Sequence, residues 1–232
     1  MPLRTRRISL VVRRFAVVGV LLLSACAHQA DDTTPAPSAP TVVPLTVAQA
    51  SKAALTVADL PKGWEGGVAS DRTPTLGLPI TYDPADCQLL RDPLRDRKTP
   101  STTVRGQYFL GADSPSDDKV VTEVIASWPA SQLPLVRNIV AVLPRCATFG
   151  GALEGETFKS FARQLPVRGL RAGIAPRFGD PADPKLTSES YRAYAARGGT
   201  LLTLRAESDT FPTDAAFVQF VNTAVGRLDA VG

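Results

Sequence analysis

The sequence predicts an α+β domain, an antiparallel sheet with helices packed on it and one disulfide. Three observations carry this. Two runs between residues 102 and 128 alternate apolar and polar residues on either side of a polar turn. An apolar stripe at helical spacing follows, and a second strand pair with its own stripe closes the chain. Beyond residue 45 there are two cysteines, Cys87 and Cys146.

Taken in order, Thr56-Val57-Ala58-Asp59-Leu60 reads as a short helical turn that Pro61 and Gly63 stop, leaving Trp64 to pack. PADCQLLRD around Cys87 reads as a short helix. TTVRGQYFLG (102–111) and KVVTEVIASW (119–128) have strand composition and are joined by the turn ADSPSDD. In the second strand Val121, Glu123, Ile125 and Ser127 share one face, and Val120, Thr122, Val124, Ala126 and Trp128 the other. That mixture predicts a sheet with one buried face and one partly covered. Ser131 is the expected cap of a helix whose stripe is Leu135, Val136, Ile139, Val140 and Leu143, ended by Pro144. ETFKSFARQL (156–165) alternates as a strand. SESYRAYAAR (188–197) and GTLLTLRAE (199–207) read as a hairpin connected tightly at Arg197-Gly198-Gly199. Thr213 or a neighbour caps a last helix with Phe217, Val221, Ala224, Val225 and Leu228 facing inward. Both halves thus run strand, strand, helix, and an internal duplication is one reading of the pattern.

The N-terminus predicts an address. Arg4, Arg6, Arg7, Arg13 and Arg14 form a basic region without an acid, and FAVVGVLLLSA (15–25) is an uninterrupted small and apolar run. Eleven residues rise roughly 16 Å as a helix, about half a hydrocarbon core, so a signal peptide (1–25) fits better than a permanent span. Leu23-Ser24-Ala25-Cys26 is similar to the bacterial lipobox. The resemblance implies cleavage before Cys26 and a diacylglycerol on its thiol, with the alternative of an ordinary secretory signal beside an incidental cysteine. The arginine pairs also match twin-arginine export weakly. Residues 26–45, rich in Pro, Thr, Ser and Ala, predict a solvated tether able to hold a domain (46–232) up to roughly 60 Å from lipid. His28 lies on that tether as an exposed residue.

Loss of the signal changes the charge. The chain has 26 Lys and Arg against 22 Asp and Glu; without the five N-terminal arginines 21 basic groups face 22 acidic, and net charge moves from +4 to −1. The basic balance is therefore no sign of nucleic-acid binding, and no nucleic-acid partner is expected.

Residues 46–232 contain no histidine, which excludes Ser-His-Asp hydrolases, Cys-His proteases and imidazole-ligated zinc. In an exported domain the two remaining cysteines pair as Cys87–Cys146, closing 59 positions and worth about 4 kcal/mol in the chain-entropy model. A metal pair or free thiols are the alternatives. Ser116-Asp117-Asp118-Lys119 matches S-x-x-K, but it sits in a polar turn between strands and lacks the companion S-D-N and K-T-G patterns. Asp180 and Asp183 in FGDPADPK suggest calcium, yet no D-x-D-x-D-G run is present and turn chemistry is the stronger reading. No cofactor, metal or catalytic residue is expected.

With these features in place the chain resembles actinobacterial lipoproteins whose domain is similar to the extracellular sensor domain of PknH-type receptor kinases. The lipobox, the Pro/Thr tether, D-L-P-K-G-W at Asp59–Trp64, the early Cys87 and LVRNIVAVLPRC ending at Cys146 carry the likeness, as does the use of 20 Arg against 6 Lys. The kinase-linked domains usually hold four cysteines in two bridges, where this domain has two cysteines, and the chain contains no kinase or transmembrane helix. The resemblance implies a non-catalytic, cleft-bearing domain outside the membrane that binds an envelope ligand or protein, and it assigns no site residues.

The expected function is thus a lipid-anchored module on the extracytoplasmic face of the cell membrane, ligand-binding or sensor-like and not an enzyme. Tyr108, Trp128, Tyr191 and Tyr194 are placed to line a sheet-face pocket, with core packing the stronger reading for each. Two other classes remain: an accessory protein of an envelope complex, which requires a flat apolar patch, and a carboxylate-dependent wall hydrolase, which requires two acids roughly 5–9 Å apart.

Overall fold

The computed structural model describes residues 41–69, 80–95, 97–110, 119–153, 155–167, 177–179, 190–207 and 210–231. The signal peptide, Cys26, His28 and the tether to residue 40 lie outside the described residues, as do Ser116–Asp118 of the S-x-x-K match and Asp180 and Asp183.

Among the described residues nine strands form one antiparallel sheet. They are β1 (Trp64–Ala69), β2 (Ile80–Asp83), β3 (Thr102–Leu110), β4 (Lys119–Ser127), β5 (Thr148–Leu153), β6 (Glu156–Arg163), β7 (Arg177–Gly179), β8 (Ser190–Arg197) and β9 (Thr200–Glu207), and their spatial order is β1-β3-β4-β9-β8-β7-β6-β5-β2. The α-helices among the described residues are α1 (Val47–Ala53), α2 (Leu133–Val142) and α3 (Asp214–Asp229). Two short 3-10 helices, Val57–Asp59 and Ala85–Leu90, complete the set, and the second carries Cys87. None of the described helices is long and apolar enough to cross a membrane.

The alternation of β4 sorts the two sides as expected. Val121 and Ile125 pack with Val104, Tyr108, Ala193, Ala195, Leu202 and Leu204 beneath α1 and α3. Ala126 and Trp128 pack with Tyr194, Ala196 and Leu201 beneath α2 and the Cys87–Cys146 bridge. Each strand–strand–helix unit is therefore present, but the two helices cover opposite faces. A two-fold axis between antiparallel neighbours such as β4 and β9 would put them on the same face, so the resemblance of the two halves stops at element order.

Local chemistry explains the junctions. Thr46 caps α1 by accepting from the Gln49 N–H at 3.2 Å while the Gln49 side chain returns to the Thr46 N–H at 2.9 Å. The cross-strand row Thr102–Ser127–Thr200 docks the residue before that cap: Leu45 N–H donates to Ser127 Oγ at 3.0 Å and Thr102 Oγ1 donates to Leu45 O at 2.7 Å. Thr213 caps α3 as expected, accepting from Ala216 N–H. At α2 the N-cap is Gln132, one residue later than the expected Ser131, because the β8–β9 turn takes the position: Gln132 N–H donates to Gly198 O at 2.8 Å and Trp128 N–H to Gly199 O at 2.9 Å. The tight connection is Gly198-Gly199, with Gly198 at a φ of +53° that favours glycine.

Candidate functional site

All four aromatics that were candidates for a pocket are core residues whose polar tips bind other parts of the fold. Tyr108 and Tyr194 are fully buried, and Trp128 and Tyr191 nearly so. Trp128 Nε1–H donates to Lys98 O at 2.7 Å, Tyr191 Oη–H to Asp214 Oδ1 at 2.9 Å and Tyr194 Oη–H to Leu90 O at 2.8 Å. Tyr191 also stacks on Phe217 with ring centroids 4.6 Å apart. Core packing is their role.

Cys87 and Cys146 form the expected disulfide, with Cα atoms 5.6 Å apart. Both are fully buried, and the bridge pins the 3-10 helix Ala85–Leu90 to the chain just past α2. Asp86 lies close to both sulfurs, but their lone pairs belong to a disulfide, not to thiolate ligands, and its carboxylate pairs with Arg145 at 2.5 Å.

Where this bridged layer ends, the same sheet face opens into a depression of about 190 Å³. Its floor and far side are Thr122 and Val124 of β4, Thr203 and Arg205 of β9, Arg192 of β8 and Arg105 of β3. Its near wall is the turn Arg91–Leu94 that follows the 3-10 helix. The register explains the assembly. Thr122 pairs with Arg205 and Arg205 with Arg192, while one row along Arg105 pairs with Val124 and Val124 with Thr203. Residues in these rows project to one face because partners across a ladder always do.

The near wall is held from several directions. The disulfide fixes it at Cys87, Tyr194 grips Leu90 O, and the buried Arg192 donates Nη1–H to Arg91 O at 2.6 Å. Further along, Arg95 Nη1 donates to Ile80 O and Gln88 Oε1, both at 3.3 Å, and Arg97 Nη2 donates to Gln132 Oε1 at 2.9 Å. Four arginines and one aspartate, Asp92, therefore line a depression whose shape is set by the core. Burial pushes the Arg91 guanidinium below its ordinary basicity, and the nearby charges of Arg192 and Arg205 push it further the same way.

On the opposite face Glu123 is a fully buried carboxylate. It accepts from Leu55 N–H at 3.0 Å through Oε2, with Tyr108 Oη 2.8 Å from the same oxygen. It lies under α1 in the core rather than along a groove, which gives it an architectural position.

None of the four pocket arginines was singled out from sequence, yet one pair was readable. Arg192 and Arg205 each stand five positions from the Arg197–Thr200 pair that closes the hairpin, so a two-residue turn at Gly198-Gly199 already makes them opposite neighbours. Arg91 and Arg105 join them only through the strand order β3-β4-β9-β8 and the disulfide.

In sequence, no family model matches the chain and no curated protein matches it. In structure, it is similar to the extracellular domain of PknH from Mycobacterium tuberculosis, with a TM-score of 0.55 at 15% identity over 82% of this chain and 97% of that one. A Mycobacterium smegmatis protein described as an Rv0999 ortholog aligns with a TM-score of 0.42 at 11% identity, over 82% of this chain and 98% of that one. The first of these establishes a shared fold, the one that the sequence resemblance implied.

Proposed function

We propose that this chain is a lipid-anchored, extracytoplasmic module of sensor-like type that binds a ligand without transforming it, and that the open sheet face is where it binds. The observation that carries the reading is the depression between Arg105, Arg192, Arg205 and the turn Arg91–Leu94. One half of that sheet face is sealed by α2 and the bridge, and the other half presents polar and cationic side chains on a rigid floor. Binding sites commonly take that form, a concave region with a few convergent polar groups. The likeness to an extracellular domain supports an extracytoplasmic address. The lipobox-like Leu23–Cys26 supports an anchor at Cys26, which places a diacylglycerol and an acylated amine at the membrane end of the tether.

The test is native mass spectrometry of the full chain extracted gently from membranes. A reproducible added mass that leaves on denaturation is the expected result. A bare protein mass, with no small molecule recovered under any extraction, would contradict the reading and favour a role in protein assembly.

A further inference from the structure

We propose that the depression takes a small ligand bearing at least two oxyanion charges, as phosphate or carboxylate groups, held between Arg105 on one side and the Arg192–Arg205 pair on the other. This rests on the reading above that the depression is the ligand site, and adds the chemistry of what enters it.

The charge of the lining argues first. Arg91, Arg105, Arg192 and Arg205 against Asp92 leave three net positive charges among ten lining residues, in a chain whose expected mature form carries almost no net charge. Placement argues second. Arg192 and Arg205 stand directly opposite each other on adjacent strands. An anion seated between the two guanidinium groups would be met by charged donors from both strands. A core-facing strand position in β8 would be served by an aliphatic residue, as Ala196 on the same face demonstrates. Arg192 instead occupies a buried site beside the depression.

Donor geometry argues third. A guanidinium offers its N–H groups as a planar fork that matches the two oxygens of a carboxylate or a phosphate edge. Thr203 Oγ1, on the floor, is buried with no hydrogen-bond partner among the described residues, and a ligand oxygen would supply one. The volume of about 190 Å³ suits a headgroup-sized anion rather than a polymer segment. The same chemistry is offered by a soluble metabolite and by the headgroup of an anionic lipid, and the experiment separates the two.

The full chain in nonionic detergent is titrated calorimetrically with inorganic pyrophosphate and with citrate, at constant ionic strength set by sodium chloride. Saturable one-to-one binding that chloride does not reproduce is expected. It should weaken at least tenfold in Arg105→Gln and in Arg205→Gln, and stay unchanged in Arg137→Gln, whose side chain is exposed on α2. Arg105 is half-buried and Arg205 exposed, so neither change empties the core, and melting curves verify folding. Short-chain phosphatidic acid that competes with pyrophosphate, where short-chain phosphatidylcholine does not, assigns the lipid source; competition by neither assigns the soluble one, and both support the proposal. Equal affinity in the arginine variants and the wild type overturns it, as does binding no stronger than that of chloride. A co-purifying neutral ligand that protects residues 91–94 and 203–205 from hydrogen exchange would overturn the anion assignment and leave the binding site standing. Absence of any ligand and of any such protection would remove both.

Discussion

Tyr108 of β3 and Glu123 of β4 share a buried hydrogen bond of 2.8 Å, and Tyr108 Oη also lies 2.7 Å from Leu55 O. A phenol has one proton to give. When Glu123 is ionised, Tyr108 donates to it and Leu55 O goes without. When Glu123 is protonated, the carboxyl donates to Tyr108 and Tyr108 donates to Leu55 O, so both of these bonds are made, while Glu123 Oε1 has no partner among the described residues.

Stability should accordingly depend on pH through Glu123. Burial pushes its carboxyl up to about 7, although the bonds from Leu55 and Tyr108 act against this. The folded state therefore holds the proton more tightly than the unfolded one. Its contribution is full below the unfolded value of about 4.3 and is lost as pH rises through about 7. Relative to Glu123→Gln, the wild type should lose on the order of 3–4 kcal/mol between pH 4 and pH 8. Urea midpoints of both proteins across that range measure it, and parallel curves would contradict the account.

The bridge should stabilise the fold and shape the depression together. Replacing Cys87 and Cys146 by alanine opens a loop of 59 positions and should cost about 4 kcal/mol. Because the bridge anchors the 3-10 helix that leads into Arg91–Leu94, hydrogen exchange should rise first in residues 85–95. A uniform rise across the sheet, with that turn no more exposed than the rest, would mean the wall is held without the bridge.

Arg227 of α3 should be the clamp on α1. Its Nε–H donates to Ala54 O at 2.6 Å and its Nη2–H to Lys52 O at 2.9 Å, while Nη1 pairs with Asp59 at 3.0 Å. These carbonyls lie at the C-terminal end of α1, where backbone acceptors lack helical partners. Arg227→Ala should cost about 1.5–3 kcal/mol and expose residues 47–59 to proteolysis before the rest of the domain. An unchanged cleavage pattern would show that apolar packing alone seats α1.

Gly199→Ala should be more damaging than its size suggests. A Cβ there would sit 2.0 Å from Trp128 O, a backbone atom that cannot step aside by rotating. The same contact carries the Trp128 N–H to Gly199 O bond that ties the hairpin turn to the residue just past β4. A loss of about 1–3 kcal/mol is expected from chemical denaturation, and a neutral change would show that the turn can relax.

Cys26→Ala should release the chain from the membrane fraction, since one residue supplies the whole proposed anchor. Tight retention after a salt wash would sink the lipoprotein reading.

The elements readable from the sequence are those whose own residues settle the matter. β3, β4 and β6 alternate apolar and polar side chains, β8 and β9 flank the tight Gly198-Gly199 turn, and α2 and α3 carry apolar stripes, so period and turn chemistry identify them. The elements not anticipated carry little periodic pattern of their own. α1 places only Ala50 and Ala53 in the core, and its capping box, readable as Thr46 with Gln49, was the signal to follow. β1 (WEGGVA) and β5 (TFGGAL) each contain two glycines, and β7 has three residues, so their strand character comes from the neighbours they pair with. The candidate site is harder still, because its arginines sit in four separate segments and only the Arg192–Arg205 pair follows from a local turn. The aromatic candidates pack in the core for a plain reason: each has apolar bulk to bury and an acceptor within reach of its polar tip.

The account stands most directly on one measurement, the side-chain NMR spectrum of the arginine Nε–H groups in the full chain, recorded with and without a small-molecule extract of the cell envelope. The account predicts shifts at Arg105, Arg192 and Arg205, with Arg137 and Arg145 on and beyond α2 unmoved. Shifts confined to Arg197, which borders the separate depression lined by Val42, Val43 and Leu228, would place the binding site elsewhere and contradict it.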